Sequence, residues 1–535
     1  MSLEPILSFR RKGLRAPIVL SLLSLLSCVP VAVAQPDANA HLRYYSVETV
    51  PTPPGVGPSC GGLSFLPDGR LVAVFDHGEV YFYTPSTRHW VRFAEGMHTP
   101  LGVMAVNARE VLVAQRSELT RLVDSTGSGM ADRYECISDA WGLSGNYDEF
   151  TFGPAMDSKG NLYVALGLGS GGGKVRYEIR GRFNPDGSDF GVHAATSGVP
   201  YRGWVVKISP DGNMVPVACG LREPNGIMVD SEDRVFVTDN QGDWVGTSPL
   251  YHILPGEFYG HPSSIVWRPD WHGPPSVLEL DKMRRDANVL FSHGIIANSP
   301  GQPIIDPTRG RFGPFAGQMF VTEFNVQRLV RVMLEEVAGD LQGAVAPFFD
   351  GPPLRSGNIR LAFAPDGSLW VGQGQRRNGW PAEEGIQKIT WTGETPMDVL
   401  SVHLTDTGFE FTFTKPTDPG IAAHPEAFAG KRYYYLYHHE YGSPRIDVHK
   451  VGVSHLVRSP DGLKVTFDAD VLQAGEIYEF SLDKITAADG TRILNPLVAY
   501  TATHLRDGSS RPIPWPAPTG DAVGTGNDQP RIPNP

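Results

Sequence analysis

Cysteine is scarce: the chain of 535 residues holds four, with no C-x-x-C-H. That excludes a disulfide-dense scaffold and a covalently attached c-type haem. Positive charge is also short, with 46 Lys and Arg against 58 Asp and Glu and a formal charge of -12. No basic stripe offers a phosphate-binding face, so a nucleic-acid partner is not expected. Beyond the N-terminus no apolar run is long enough to cross a bilayer. G-x-S-x-G, the P-loop and H-E-x-x-H are all missing, which leaves hydrolase, nucleotide and zincin chemistry without a motif.

Turn chemistry is abundant. The 60 glycines and 46 prolines favour many short strands joined by tight turns, and the length asks for two ordered domains plus tails. Residues 1–34 read as a signal peptide. Arg10, Arg11, Lys12 and Arg15 precede an apolar run from Pro17 to Val33, and Ala32-Val33-Ala34 fits a small-x-small cleavage site. The expected location is periplasmic or secreted. The Arg10-Arg11 pair raises twin-arginine export, although its neighbours match that signal poorly. Cys28 raises a lipoprotein, which Leu26 opposes. Cleavage leaves Cys60, Cys136 and Cys219, an odd set with at least one free thiol.

A strand–turn–strand unit recurs six times, from Gly61, Leu101, Glu149, Pro224, Phe315 and Ile359. "GGLSFLPDGRLVAVFDHG" and "IRLAFAPDGSLWVGQGQRR" are its first and last copies. Blade-sized spacing predicts an all-β fold, a six-bladed β-propeller over 56–394. A linker covers 35–55. Alternating strands predict a smaller β-sandwich over 395–505, and a Pro/Gly-rich tail over 506–535 reads as disordered. Two long loops, Ser170–Arg202 and Leu250–Gly313, interrupt the repeat and are either site-lining segments or structural decoration.

In a propeller the residues before the first strand and after the second strand of each blade meet around one channel mouth. Those positions hold Asp76 and His77, then Gln115 and Arg116, then Tyr147, Asp148 and Glu149. Blade four gives Arg222, Glu223, Asn225, Asp239, Asn240 and Gln241; blade five Glu323 and Asn325; blade six Asn358, Gln373, Gln375 and Arg376. Such a ring suits a polyhydroxylated or anionic ligand, with carboxylates able to hold a cation or move protons; water-filled mouths are also polar without function. "DSTGSGMAD" from Asp124 has too few acids for a calcium loop and reads as a turn. His252, His261, His272 and His293 lack metal-ligand spacing and read as surface or packing residues.

"GLREPNGIMVDSEDRVFVTDNQG" from Gly220, followed by "LPGEFYGHP", resembles the soluble quinoprotein glucose/sorbosone dehydrogenase superfamily of six-bladed propellers. The likeness is closer to the propeller module of planctomycete-type "membrane-bound dehydrogenase" proteins. It runs on through "SPGQPIIDPTRGRFGPFAGQMFVTEF", "FAPDGSLWVGQGQRRNGW" and "YGSPRIDV". The resemblance implies a pyrroloquinoline quinone (PQQ) cofactor with calcium, a sugar or polyol substrate and a cytochrome electron acceptor. Arg222 falls on the family's cofactor-binding arginine. With Arg376, Asn225, Asn240, Gln241 and Gln373 it forms the candidate cofactor set, and Asp239 and Glu223 are the candidate calcium ligands. Asp148, Glu149 and His77 are the candidate catalytic groups, because the family histidine before "FGP" has no counterpart. Glu223 replaces an asparagine, and "TEFNVQR" lacks the family lysine. A non-catalytic propeller binding a glycan or partner protein, and a metal-dependent lactonase or lyase, are the competing readings.

Overall fold

The computed structural model describes residues 39–146, 148–170, 180–184, 186, 195–374 and 383–523. The signal-like segment, Tyr147, Gln375 and Arg376 lie outside the described residues. Each repeat folds as a strand–turn–strand unit, although the one from Phe315 supplies the second and third strands of its blade rather than the first two. In blade one the β-rich run Leu71–Phe75 is wholly buried, and the Pro67-Asp68-Gly69 turn before it needs a left-handed residue, which Gly69 supplies at φ +87.

Among the described residues six four-stranded antiparallel units follow one another. Their inner strands are Cys60–Phe65, Gly102–Asn107, Thr151–Met156, Gly226–Val229, Pro300–Ile305 and Asn358–Phe363. Each packs against the next, and the sixth returns to the first. This is the expected six-bladed propeller. The segment 35–55, expected as a linker, contains its closure. Tyr45–Val50 pairs antiparallel with Gly385–Trp391 as the outermost strand of blade six, so the two ends of the ring are sewn into one sheet.

The long stretch between blades four and five also differs from expectation. Pro249–Ile253 and Val289–Leu290 complete blade four, and Pro300–Ile305 is the inner strand of blade five. Proline hid that strand, because Pro300 and Pro303 cannot donate to a ladder; they flank a register shift.

The inner strands meet too closely for side chains. A Cβ on Gly102 would lie 1.6 Å from the Gly153 carbonyl oxygen, and one on Gly226 would lie 2.4 Å from that of Gly301. One large side chain, Arg360, fills the axis. Its Nε donates to the carbonyl of Gly61 at 2.8 Å, Nη1 to those of Asn225 and Ile359 at 2.9 and 2.8 Å, and Nη2 to that of Leu101 at 2.7 Å. The ring of Phe152 lies 5.6 Å from the guanidinium. Blades one, two, three, four and six therefore all touch one group.

The second domain is a two-layer β structure. One sheet holds Val399–Leu404, Gly408–Phe413, Lys464–Ala469 and Val453–Arg458; the other runs through Leu497–Ala502, Glu476–Ser481, Ala429–Tyr434 and Arg445–Val451. Phe409, Phe411, Phe467 and Phe480 fill the space between them. The second sheet continues blade five, since Gly343–Val345 pair with Ala499–Thr501. The described part of the segment expected as a disordered tail is packed. Arg511 pairs with Asp286 and Asp281, Trp515 stacks on Tyr434 with centroids 4.0 Å apart, and Asp521–Val523 pairs with Arg445–Val448. Proline-rich chain can dock through side chains without repeating structure of its own.

Two outcomes follow from ring closure. Arg360→Met leaves three carbonyls of other blades unpaired at about 1–3 kcal/mol each, so urea unfolding should show a loss of about 3 kcal/mol or more. A chain begun at Pro51 strips blade six of its closing strand. It should melt at a markedly lower temperature and expose the edge Gly385–Trp391 to hydrogen exchange.

Candidate functional site at the propeller mouth

One structural device recurs around the mouth. A polar residue ending the second strand of a blade caps the loop that enters the inner strand. Asp239 accepts the backbone N–H groups of Arg222, Glu223 and Asn240 at 2.7, 2.7 and 2.8 Å. Glu323 accepts those of Asn298, Ser299 and Asn325 at 2.8, 2.9 and 2.8 Å, and Gln115 accepts that of His98 at 2.6 Å. Burial pushes the Asp239 and Glu323 carboxyls up, against the pull of these amides.

Above Arg360 lies a cavity of about 280 Å³. Its wall takes Asp76, Asp148, Arg222, Glu223, Asn225, Asn240 and Gln241 from the positions chosen by sequence. Ser59, Thr99, Ser299, Phe150, Phe324, Arg360 and Tyr441 complete most of the rest. Arg360 forms the floor. Burial pulls its guanidinium down to about 10, still charged at neutral pH, and no ion pair to it is present among the described residues. A second void, of about 30 Å³, also touches Arg360 and is lined by inner-strand residues such as Gly62, Gly102 and Gly226.

Arg222 is held rather than free. Its Nε donates to Asp243 Oδ1 at 2.9 Å, and Nη1 donates to the Gln241 carbonyl at 3.3 Å. Glu223 lies 3.7 Å away. Behind it, His261 Nε2 sits 3.1 Å from Asp243 Oδ2, while its Nδ1 receives the Ser263 N–H at 3.4 Å. That acceptor role at Nδ1 leaves Nε2 as the protonated nitrogen, which donates to Asp243. Burial raises the Asp243 carboxyl, but His261 and Arg222 outweigh it and hold it well below the usual range. Gly242 makes this possible: a Cβ there would sit 2.0 Å from Arg222 Nε.

Several expected roles change. Glu149 is 2% exposed and its two oxygens receive the Ser144 N–H and hydroxyl. It braces a turn, and Asp148 is the member of the pair on the cavity wall. His77 stands on the outer rim, its side chain 67% exposed and 3.7 Å from Asp76. Gln373 is fully buried and donates to Asn358 and Gln387, away from the cavity. Asp239 is committed to three amides, and Glu223 lies against Arg222. Among the described residues no three acids, histidines or cysteines gather as a metal site. Asn225 contributes mainly its carbonyl, to Arg360.

PQQ carries three carboxylates, so its site needs cations in excess. The described lining sets Asp76, Asp148 and Glu223 against Arg222 and Arg360, and Asp243 already neutralises Arg222. The described residues do not fit that cofactor.

Sequence reading missed Arg360, Asp243, His261 and Tyr441. A lone charge in the apolar strand "NIRLAF" marked Arg360 as unusual. Nothing local marked Tyr441, which reaches the mouth from the second domain.

No family model matches the chain, and no curated protein matches it. Solved structures do. The PQQ-bound aldose sugar dehydrogenase from Streptomyces coelicolor is 18% identical, with 67% of this chain and 100% of that one covered and a TM-score of 0.42. The PQQ domain of pyranose dehydrogenase from Coprinopsis cinerea is 13% identical, with coverage of 65% and 95% and a TM-score of 0.46. A luciferin-regenerating enzyme is 12% identical, with coverage of 65% and 96% and a TM-score of 0.41. At these identities and TM-scores the likenesses carry no functional argument, and function is read from the site itself.

Proposed function

We propose that the propeller mouth binds a sugar or polyol in an exported protein. The observation that carries this reading is one cavity that combines hydroxyl-reading groups with aromatic faces. Asp76, Asp148 and Glu223 accept from hydroxyls, and the Asn240 and Gln241 amides sit beside them on the wall. Phe150, Phe324 and Tyr441 offer surface to ring carbons. A neutral, hydroxyl-rich ligand satisfies these carboxylates without the surplus of cations that an anionic one requires. Export rests on the signal-like residues 1–34 of the sequence, and cleavage after Ala34 would leave Gln35 as the first residue, as N-terminal sequencing would show.

Quinone-linked oxidation of the bound sugar is the second reading. It comes from the resemblance, which puts a cofactor-binding arginine at Arg222, and the charge balance of the described lining stands against it. A calcium-dependent rise in melting temperature with PQQ, together with dye reduction on adding sugar, would establish it. A shift with calcium alone would point instead to a metal-dependent lactonase or lyase.

Calorimetric titration with hexoses, pentoses and alditols is expected to give saturable binding to at least one class. A flat response across the panel from folded protein would remove the sugar reading. Asp148→Ala should weaken that binding about tenfold, or ~1.4 kcal/mol, with an unchanged melting temperature. Glu149→Gln should do the reverse, lowering thermal stability by about 1–2 kcal/mol through the lost Ser144 brace while the folded protein keeps its affinity.

A further inference from the structure

The second domain touches the mouth through one hairpin, residues 435–444, which joins Ala429–Tyr434 to Arg445–Val451. Its docking is specific. The Gly442 N–H donates to the Gly242 carbonyl at 3.0 Å and the Ser443 N–H to that of Gly246 at 2.9 Å. Tyr437 Oη donates to the Gly260 carbonyl at 2.6 Å, and its ring lies beside Trp244 and Arg284. Glycine is needed on both surfaces. Gly442 has φ +66 and a Cβ there would meet the Gln241 side chain at 2.9 Å; a Cβ on Gly246 would meet the Leu436 carbonyl oxygen at 2.7 Å.

These contacts set Tyr441 on the cavity wall. Its ring lies 5.4 Å from the Arg222 guanidinium, whose edge crowds the backbone of Gly242. Tyr441 nevertheless stays 44% exposed. An aromatic residue that holds an arginine and still presents surface to a cavity pays in exposed apolar area that no packing contact recovers. A ligand ring would recover it.

We propose that the second domain completes the ligand site: its hairpin supplies Tyr441 as a specificity-determining wall that covers Arg222 and packs against a sugar ring. The proposal rests on the sugar reading for its ligand, but not for its geometry. The propeller alone would hold a site open on the blade-four side. With the hairpin docked and Arg360 closing the floor, the cavity takes a single ring or a chain end rather than the middle of a glycan.

The test uses the full chain and the variants Tyr441→Ala and Tyr441→Phe, with two readouts. The first is the rate at which phenylglyoxal modifies Arg222, followed by peptide mass spectrometry. It should rise several-fold in Y441A and stay near wild type in Y441F, with equal melting temperatures. The second is calorimetric affinity for D-glucose and sorbitol, expected to fall about tenfold in Y441A and to change less than about twofold in Y441F. An Arg222 rate unchanged in Y441A overturns the covering role. Wild-type binding that Y441A retains in full overturns the specificity role while leaving the sugar reading intact. If wild type binds neither probe while Arg222 is still unmasked in Y441A, the sugar-packing role falls with the sugar reading and the wall over Arg222 stands.

Discussion

A closed ring of sheets has to be filled at its centre, and in this protein one guanidinium does so. Arg360 spends its donors on carbonyls from four blades and stands over the Phe152 ring of another. A carboxylate partner would have satisfied the charge but taken donors away from the blades. Carbonyls at the ends of converging inner strands supply acceptors from several directions at once, which suits the planar fork of arginine. The same choice decides the site. The cavity above has a polar, cationic floor.

Polar residues around the mouth divide into two kinds with opposite jobs. Asp239, Glu323 and Gln115 point back into the protein and cap loop amides, so the backbone at the mouth has fixed geometry. Asp76, Asp148 and Glu223 face the cavity. The first kind gives the second its precision: Arg222 and Glu223 are placed because Asp239 grips both of their amides. Asp243, with His261 behind it, then sets the direction of the Arg222 side chain. The geometry of the cavity wall depends in this way on buried carboxylates that do not line the cavity.

The second domain shares a sheet with blade five and sends its hairpin onto blade four. Two separate anchorages fix its position over the propeller, which is why a residue as distant in sequence as Tyr441 can serve as wall for a site assembled from blades one to six. The packed segment around Arg511 and Trp515 adds a further tie, to Asp281, Asp286 and Tyr434.

The sequence by itself determined the blades, because short β-branched and aromatic runs, tight turns such as Pro-Asp-Gly and polar strand ends are local properties of the repeats. It also placed Asp76, Asp148, Arg222, Glu223, Asn240 and Gln241 at the mouth, since strand ends in a propeller converge whatever their side chains. Only the tertiary structure decided which of the strand-end groups face the cavity. Asp148 and Glu149 are neighbours in the chain, yet Ser144 captures one and leaves the other on the wall. Tyr45–Val50 and Pro300–Ile305 were invisible as strands because their identity comes from the partner they pair with. Arg360 and Tyr441 acquire their roles from groups hundreds of residues away, through ring closure and domain docking, and no local pattern can encode such contacts.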